Sequence, residues 1–168
     1  KKNTWQIYIN SKKISIDLHN LGCIQNKTYC LTFPEWVRDD LFIHFLHGLI
    51  CGDGYVSIKQ IGLIGTKNLV QNISKKMKIL FGRNGYMREC QESKHVNEIV
   101  YDGKLNNLKL MNLIYKNAPF IMKRKYLKYE ELLENMKNVK KHKYPPEPLL
   151  EAESIQRDIR QKFAYLFT

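Results

Sequence analysis

The chain is 168 residues long and contains no apolar run approaching the ~18 residues that a membrane-spanning helix needs. No charged-then-apolar leader opens it. Its four cysteines, Cys23, Cys30, Cys51 and Cys90, have no CxxC spacing, which argues against both a zinc ribbon and a disulfide framework. Together these absences predict an intracellular, non-secreted location (cytoplasm, nucleoid or organelle) with reduced thiols and no membrane partner. Acidic residues are also scarce: 16 Asp and Glu stand against 28 Lys and Arg, a formal net charge of +12. Such an excess favours an anionic partner, of which nucleic acid is the commonest, although an ordinary soluble basic protein can carry it too. What is present in quantity is apolar: 43% of the residues, enough for one domain with a real core and a small appendage.

From Pro34 onward the apolar spacing predicts an ordered series of elements. "FPEWVRDDLFIHFLHGLIC" carries Trp36, Val37, Leu41, Phe42, Phe45, Leu46, Leu49 and Ile50 at helical spacing, with Glu35, Asp39 and Asp40 near its start where a helix dipole favours acids. It predicts a helix over Glu35–Ile50. "GYVSIKQIGLIGT" changes to β-branched residues broken by glycines, a strand, turn and strand whose first strand is expected over Tyr55–Ile61. "TKNLVQNISKKMKILFG" returns to helical spacing, with Thr66 as N-cap and Gly82 as C-terminal stop. Two more strand-like runs follow around a polar turn near Glu92–His95. "KLNNLKLMNLIYKN" is again helical, and a helix restarts after Pro119.

Two further features bear on organisation. "QIYINSKKISIDLHNL" (Gln6–Leu21) lies over "EIVYDGKLNNLKLMNL" (Glu98–Leu113) without a gap at an offset of 92, so that a strand, a small-residue turn and a helix are reproduced in register. Chance agreement of short amphipathic segments is the competing reading. Residues 1–33 are therefore expected to be the tail of a first repeat and 34–138 a complete repeat. Residues 139–148 combine the basic run Lys140, Lys141 and Lys143 with three prolines and read as a linker, followed by a C-terminal helix over 149–168.

The run ending "LHGLICGDG" (Leu46–Gly54) stops abruptly on one carboxylate between two glycines. Gly48 and Gly52 are four apart on one helical face, with His44 a turn earlier, and missing side chains there would let a second helix backbone come close. Asp53 would then sit where two helix ends meet. Taken alone, the segment reads more readily as a helix C-terminus closed by a Gly-Asp-Gly turn with a solvent-facing aspartate.

That nine-residue stretch resembles the LAGLIDADG motif of homing endonucleases, and "GLIGTKNLVQNISKKM", "VYDGKLNNLKLMNLIY" and "PFIMKRKYLKY" fall where the family has its second strand, middle helix and final helices. The resemblance covers roughly Gln6 to Asn135. It implies an α+β fold of αββαββα order, a curved antiparallel sheet under helices, and a site-specific DNA endonuclease making double-strand breaks by hydrolysis of phosphodiesters. It places a divalent cation, Mg2+, at Asp53 with Gly52 beside it, and the helix interface at His44, Gly48, Cys51 and Gly52. Cys51 stands where the motif has its earlier acid, a position at which the family tolerates apolar residues. "MKRKY" matches a basic cluster near the scissile phosphates, with Lys125 or Lys123 as the catalytic charge and Arg124 on the DNA backbone. The strands would face DNA through Tyr55, Ser57 and Lys59, and through either Arg88 with Cys90 or Met87 with Glu89 and Gln91. Phosphate and base-edge contacts call for such residue types. Expected partners are double-stranded DNA and a second LAGLIDADG unit, either a missing N-terminal half or another copy of the chain. A maturase-like protein binding intron RNA, or a DNA-binding protein that has lost its nuclease, would use the same fold.

Overall fold

The computed structural model describes residues 7–24, 29–90, 96–138 and 146–168. Gln91, the turn Glu92–His95 and Lys140, Lys141 and Lys143 lie outside these residues. The described elements are α1 (Lys12–Asn20), α2 (Phe42–Gly52), β1 (Gly54–Val56), β2 (Gln60–Thr66), α3 (Lys67–Phe81), β3 (Tyr86–Glu89), β4 (Val96–Asp102), α4 (Lys104–Tyr115), α5 (Lys123–Lys137) and α6 (Pro146–Lys162). From α2 to α4 this is the α+β, αββαββα order expected, and α5 follows as a further helix. The four strands form one antiparallel sheet in the order β1-β2-β4-β3, two hairpins joined along β2 and β4.

Strand alternation divides the sheet into two faces. Ile61, Leu63, Ile99 and Tyr101 point to one side, where α2, α3 and α4 close the core with Leu46, Ile50, Ile73, Met77, Leu108 and Met111. The opposite face carries Tyr55, Gln60, Gly62, Tyr86, Arg88, Glu98 and Val100, as the strand register requires. Two caps fix α3 as the sequence suggests. The Thr66 hydroxyl accepts from the Leu69 amide at 3.2 Å, and Gly82 ends the helix at φ 61°, a left-handed conformation that glycine adopts without strain.

Three boundaries differ from expectation. The α-helix ahead of the sheet starts at Phe42, not Glu35. Arg38 is extended (φ −64°, ψ 153°), Pro34 closes a turn by accepting from Val37 at 3.0 Å, and Asp39–Leu41 form a single 3-10 turn. Val37 still reaches the core, but from a turn, and Trp36 is exposed, so the apolar spacing of Trp36, Val37 and Leu41 imitated a helix. Asp40 pairs with Arg38 and Asp39 with Lys76, so these acids engage basic side chains rather than a helix N-terminus alone. The first strand is also shorter, ending at Val56. Ser57 accepts from the Gln60 amide and donates to the Gln60 carbonyl, both at 2.9 Å, which closes the hairpin turn two residues after Tyr55.

At the other end, α6 starts at Pro146, three residues before the expected 149, with two prolines in its first turn, where a missing amide is harmless. It is packed into the domain. Ala152, Ile155, Ile159 and Phe163 are buried, Asn112 donates to the Pro148 carbonyl and the Glu151 carboxylate at 3.0 Å each, and the Tyr129 hydroxyl donates to Asn112 at 2.8 Å. Arg160 and Gln156 both bond Glu130 of α5. In contrast, α1 has no buried residue at all.

Candidate active site and nucleic-acid interface

Helix α2 presents two sides. Phe42, Leu46, His47, Ile50 and Cys51 are buried, while His44, Gly48 and Gly52 are exposed. A Cβ added at Gly48 or at Gly52 would meet nothing within 4 Å. Packing among the described residues therefore gives no reason for either glycine, although Gly in a helix interior, as at Gly48, costs about 1 kcal/mol relative to Ala. His44, Gly48 and Gly52 do share the exposed face. Cys51 does not: at 6% exposure it is turned into the chain toward the start of α5, and burial pushes its thiol up. Cys51 is thus not on the face available to a second helix, because the last turn of α2 is covered by α5.

Asp53 is the C-cap of α2, its amide bonded to the Leu49 carbonyl at 2.9 Å. Its side chain is exposed, and no hydrogen bond or ion pair engages the carboxylate among the described residues. It stands at the edge of a cleft of about 350 Å³ with otherwise apolar or neutral walls, among them Leu49, Ile64 and Thr66. Among the described residues no three His, Cys, Asp or Glu side chains gather to hold a metal.

The position of Asp53 is held by Lys125. This residue is 2% exposed, and its ammonium donates to the carbonyls of Ile50, of Cys51 at 2.8 Å and of Gly54 at 2.6 Å. It closes the negative end of α2 from both sides of Asp53. Burial pushes the ammonium below the ordinary lysine range, Arg124 adds to this, and Cys51 and Asp53 oppose it. All three protons have partners here, so Lys125 is seated as a clamp rather than presented to a ligand. Lys123 and Arg124, immediately before it in α5, are exposed, and the Lys123 ammonium lies 5.8 Å from the centre of the Phe167 ring. Gly54 leaves no room for a side chain in this junction, since a Cβ would come within 2.7 Å of the Ile50 backbone. A turn earlier, His47 is buried, stacked 4.6 Å from Phe120 and edge-on to Tyr115, with neither ring nitrogen partnered among the described residues. Burial, and secondarily His44, pushes its imidazole below the ordinary range.

The outward sheet face decides between the alternatives left open by the sequence. Arg88, not Met87 and Glu89, shares this face with Tyr55. The Tyr55 ring lies over Gly62, directly opposite in register, where a Cβ would come within 2.4 Å of ring carbons. Ser57 and Lys59 do not continue the alternation of Tyr55. Ser57 is committed to the hairpin turn, and Lys59 is exposed at its tip, with its carbonyl accepting from Asn107 at 2.7 Å. The sequence reading missed Gln60, Tyr86 and Glu98 on this face, and also Ile64 opposite Glu98. A lone acid inside the apolar run "VNEIVYD" was the available signal for Glu98.

Comparison with known proteins adds little weight. No family model and no curated protein matches the chain. Two crystal structures of the homing endonuclease I-CvuI are similar: one in complex with the I-CreI target in 2 mM Mg with the DNA not cleaved, the other with its target Sro1.3 in 2 mM Ca. They share 18% and 19% identity with this chain, cover 72% of it and 81% of their own length, and superpose with TM-scores of 0.42 and 0.40. No helix among the described residues is long and apolar enough to cross a membrane.

Proposed function

We propose that the chain is a LAGLIDADG-type unit of a site-specific DNA endonuclease, in which Asp53 supplies one of two metal-holding carboxylates and the outward sheet face lies against duplex DNA. The observation that carries this reading is the junction at the end of α2: a free, exposed carboxylate held in place by a buried lysine, on a helix whose exposed face contains two glycines with empty space above them. One carboxylate is too little for a closed metal cage. It does suit Mg2+, which keeps several waters and is bound through one or two carboxylates and substrate phosphates. Asp53 with the adjoining Gly52 would hold the cation, which when bound stabilises charge on a phosphoryl group. The second carboxylate would come from another unit crossing at Gly48 and Gly52. Lys123 and Arg124 are the exposed charges able to reach phosphate. Lys125 is then a positioning residue for Asp53, because its ammonium is already saturated by three carbonyls.

The test is cleavage of a duplex library by the chain, with and without a second unit, in Mg2+ or EDTA. Asp53→Asn should abolish metal-dependent cleavage while leaving DNA binding unchanged or tighter, since the amide keeps the shape and removes repulsion toward phosphate. A variant that cuts at the normal rate in Mg2+ would remove Asp53 from the chemistry. Tight binding of structured RNA with no cleavage of DNA would favour the maturase-like alternative.

A further inference from the structure

Resting on the reading of the sheet face as a DNA surface, we infer that Arg88 reads a guanine in the major groove and that Glu98 is the positioning residue that makes it selective. The two residues are direct cross-strand partners on the outward face. The Arg88 Nε donates to Glu98 Oε2, and the side chains are 50% and 9% exposed respectively, so the carboxylate is buried under a half-exposed guanidinium. Glu98 sits on a central strand. Tyr55 closes over Gly62 beside it, and Gln60 donates to the Tyr86 hydroxyl at 3.0 Å.

The chemistry follows from which nitrogen is used. Nε is the donor nearest the stem, and anchoring it leaves both terminal nitrogens of Arg88 with donors for a ligand. A planar fork of this kind matches the O6 and N7 acceptors of guanine, the commonest specific contact in the major groove. Glu98 also cancels the charge of Arg88 locally. On a protein of net charge +12, a phosphate grip would be better served by an unpaired arginine. A neutralised, fixed guanidinium gives up non-specific attraction and keeps geometry, which is what base discrimination needs. Burial raises the Glu98 carboxyl, but the bond and the charge of Arg88, with Tyr55 nearby, outweigh it and hold it below the ordinary range, so the acceptor stays ionised at neutral pH. Without DNA, an Arg–Glu pair across two strands could be a mere sheet stabiliser. That role would not change base preference.

The experiment selects preferred duplexes from a random pool with the 168-residue chain, then replaces each guanine of the best site by 7-deazaguanine, which lacks the N7 acceptor. At one position the replacement should weaken binding about 10-fold or more. Arg88→Ala should lose affinity by a similar factor and become indifferent to the replacement there. Glu98→Gln should bind as tightly or more tightly, yet discriminate less at that same position. The exchanged pair, Arg88→Glu with Glu98→Arg, preserves the cross-strand contact and should fold while losing the guanine preference. Failure of the chain to bind any DNA would overturn the proposed function and this inference with it. Binding without a guanine sensitive to the replacement, or discrimination unchanged in Arg88→Ala or Glu98→Gln, would overturn this inference alone.

Discussion

Residues 7–21 and 99–113 share one sequence pattern and meet opposite fates. Helix α1 begins at Lys12 and α4 at Lys104, which preserves the offset of 92 positions. Ile7 corresponds to Ile99, Ile16 to Leu108 and Leu18 to Leu110. In the later segment these positions are at 0%, 0% and 1% exposure; in the earlier one they are at 89%, 49% and 45%. Local sequence therefore specifies helix α1 without burying it. Ser11 caps the helix by accepting from the Ile14 amide at 3.3 Å, and the leftover apolar stripe covers no strand among the described residues. Helix formation and core formation are separable here, because caps and spacing act over a few residues while burial needs a surface from elsewhere in the fold.

The contrast has a direct energetic consequence. Leu110→Ala removes a fully buried side chain and should destabilise the chain by about 2–5 kcal/mol, read by chemical denaturation. Its counterpart Leu18→Ala should change stability by no more than about 0.5 kcal/mol. If the two variants lose equal stability, α1 has a packing partner in this chain and the comparison fails. If a second unit is added and Leu18→Ala then becomes costly, the surface that α1 lacks has been supplied.

The two regions also show why some features were legible in the sequence and others were not. Thr66 and Gly82 were readable because a cap depends on residues three or four apart. The element order was readable because each period, 3.6 or 2, is local. The start of α2 was not: Trp36, Val37 and Leu41 are apolar at helical spacing, yet Val37 is buried from a turn closed by the Pro34 carbonyl, a tertiary arrangement. The outward face of the sheet depended on strand register, so Arg88 could not be preferred over Met87 until Glu98 was seen opposite it. The motif pointed to Asp53 directly. It did not reveal that Lys125 would be buried beneath it, because one lysine in a run of three basic residues carries no mark of its burial.

Helix ends repeat the contrast between the two regions. Helix α1 ends at Leu21 and Gly22 with backbone bonds alone, Gly22 lying at φ 90°, whereas α2 ends against the Lys125 ammonium. Lys125→Met keeps most of the stem's volume and leaves the carbonyls of Ile50, Cys51 and Gly54 without their shared donor. Charge-assisted bonds of this kind are worth about 1.5–3 kcal/mol each and are not additive, so a loss of about 3 kcal/mol is expected. Hydrogen exchange should show the last turn of α2 opening first. Wild-type stability in Lys125→Met would free this lysine from its structural role and return it to the catalytic candidates.

The smallest effect separates the two exposed helix faces most cleanly. The exposed stripe of α1 is apolar and large, whereas that of α2 includes Gly48 and Gly52 with open space above both. A methyl group at Gly48 would touch nothing among the described residues, and alanine is the better helix former, so Gly48→Ala should stabilise the isolated chain by about 0.5–1 kcal/mol. A second helix crossing at this glycine would reverse the sign, since the added methyl would hold the two backbones apart. Gly48→Ala should therefore raise the thermal midpoint of the chain alone while weakening its association with a second unit, and Gly48→Leu should abolish that association. Equal stabilisation of chain and assembly by Gly48→Ala would mean that no backbone approaches Gly48, and that the second carboxylate of the site must be brought to Asp53 by some other route.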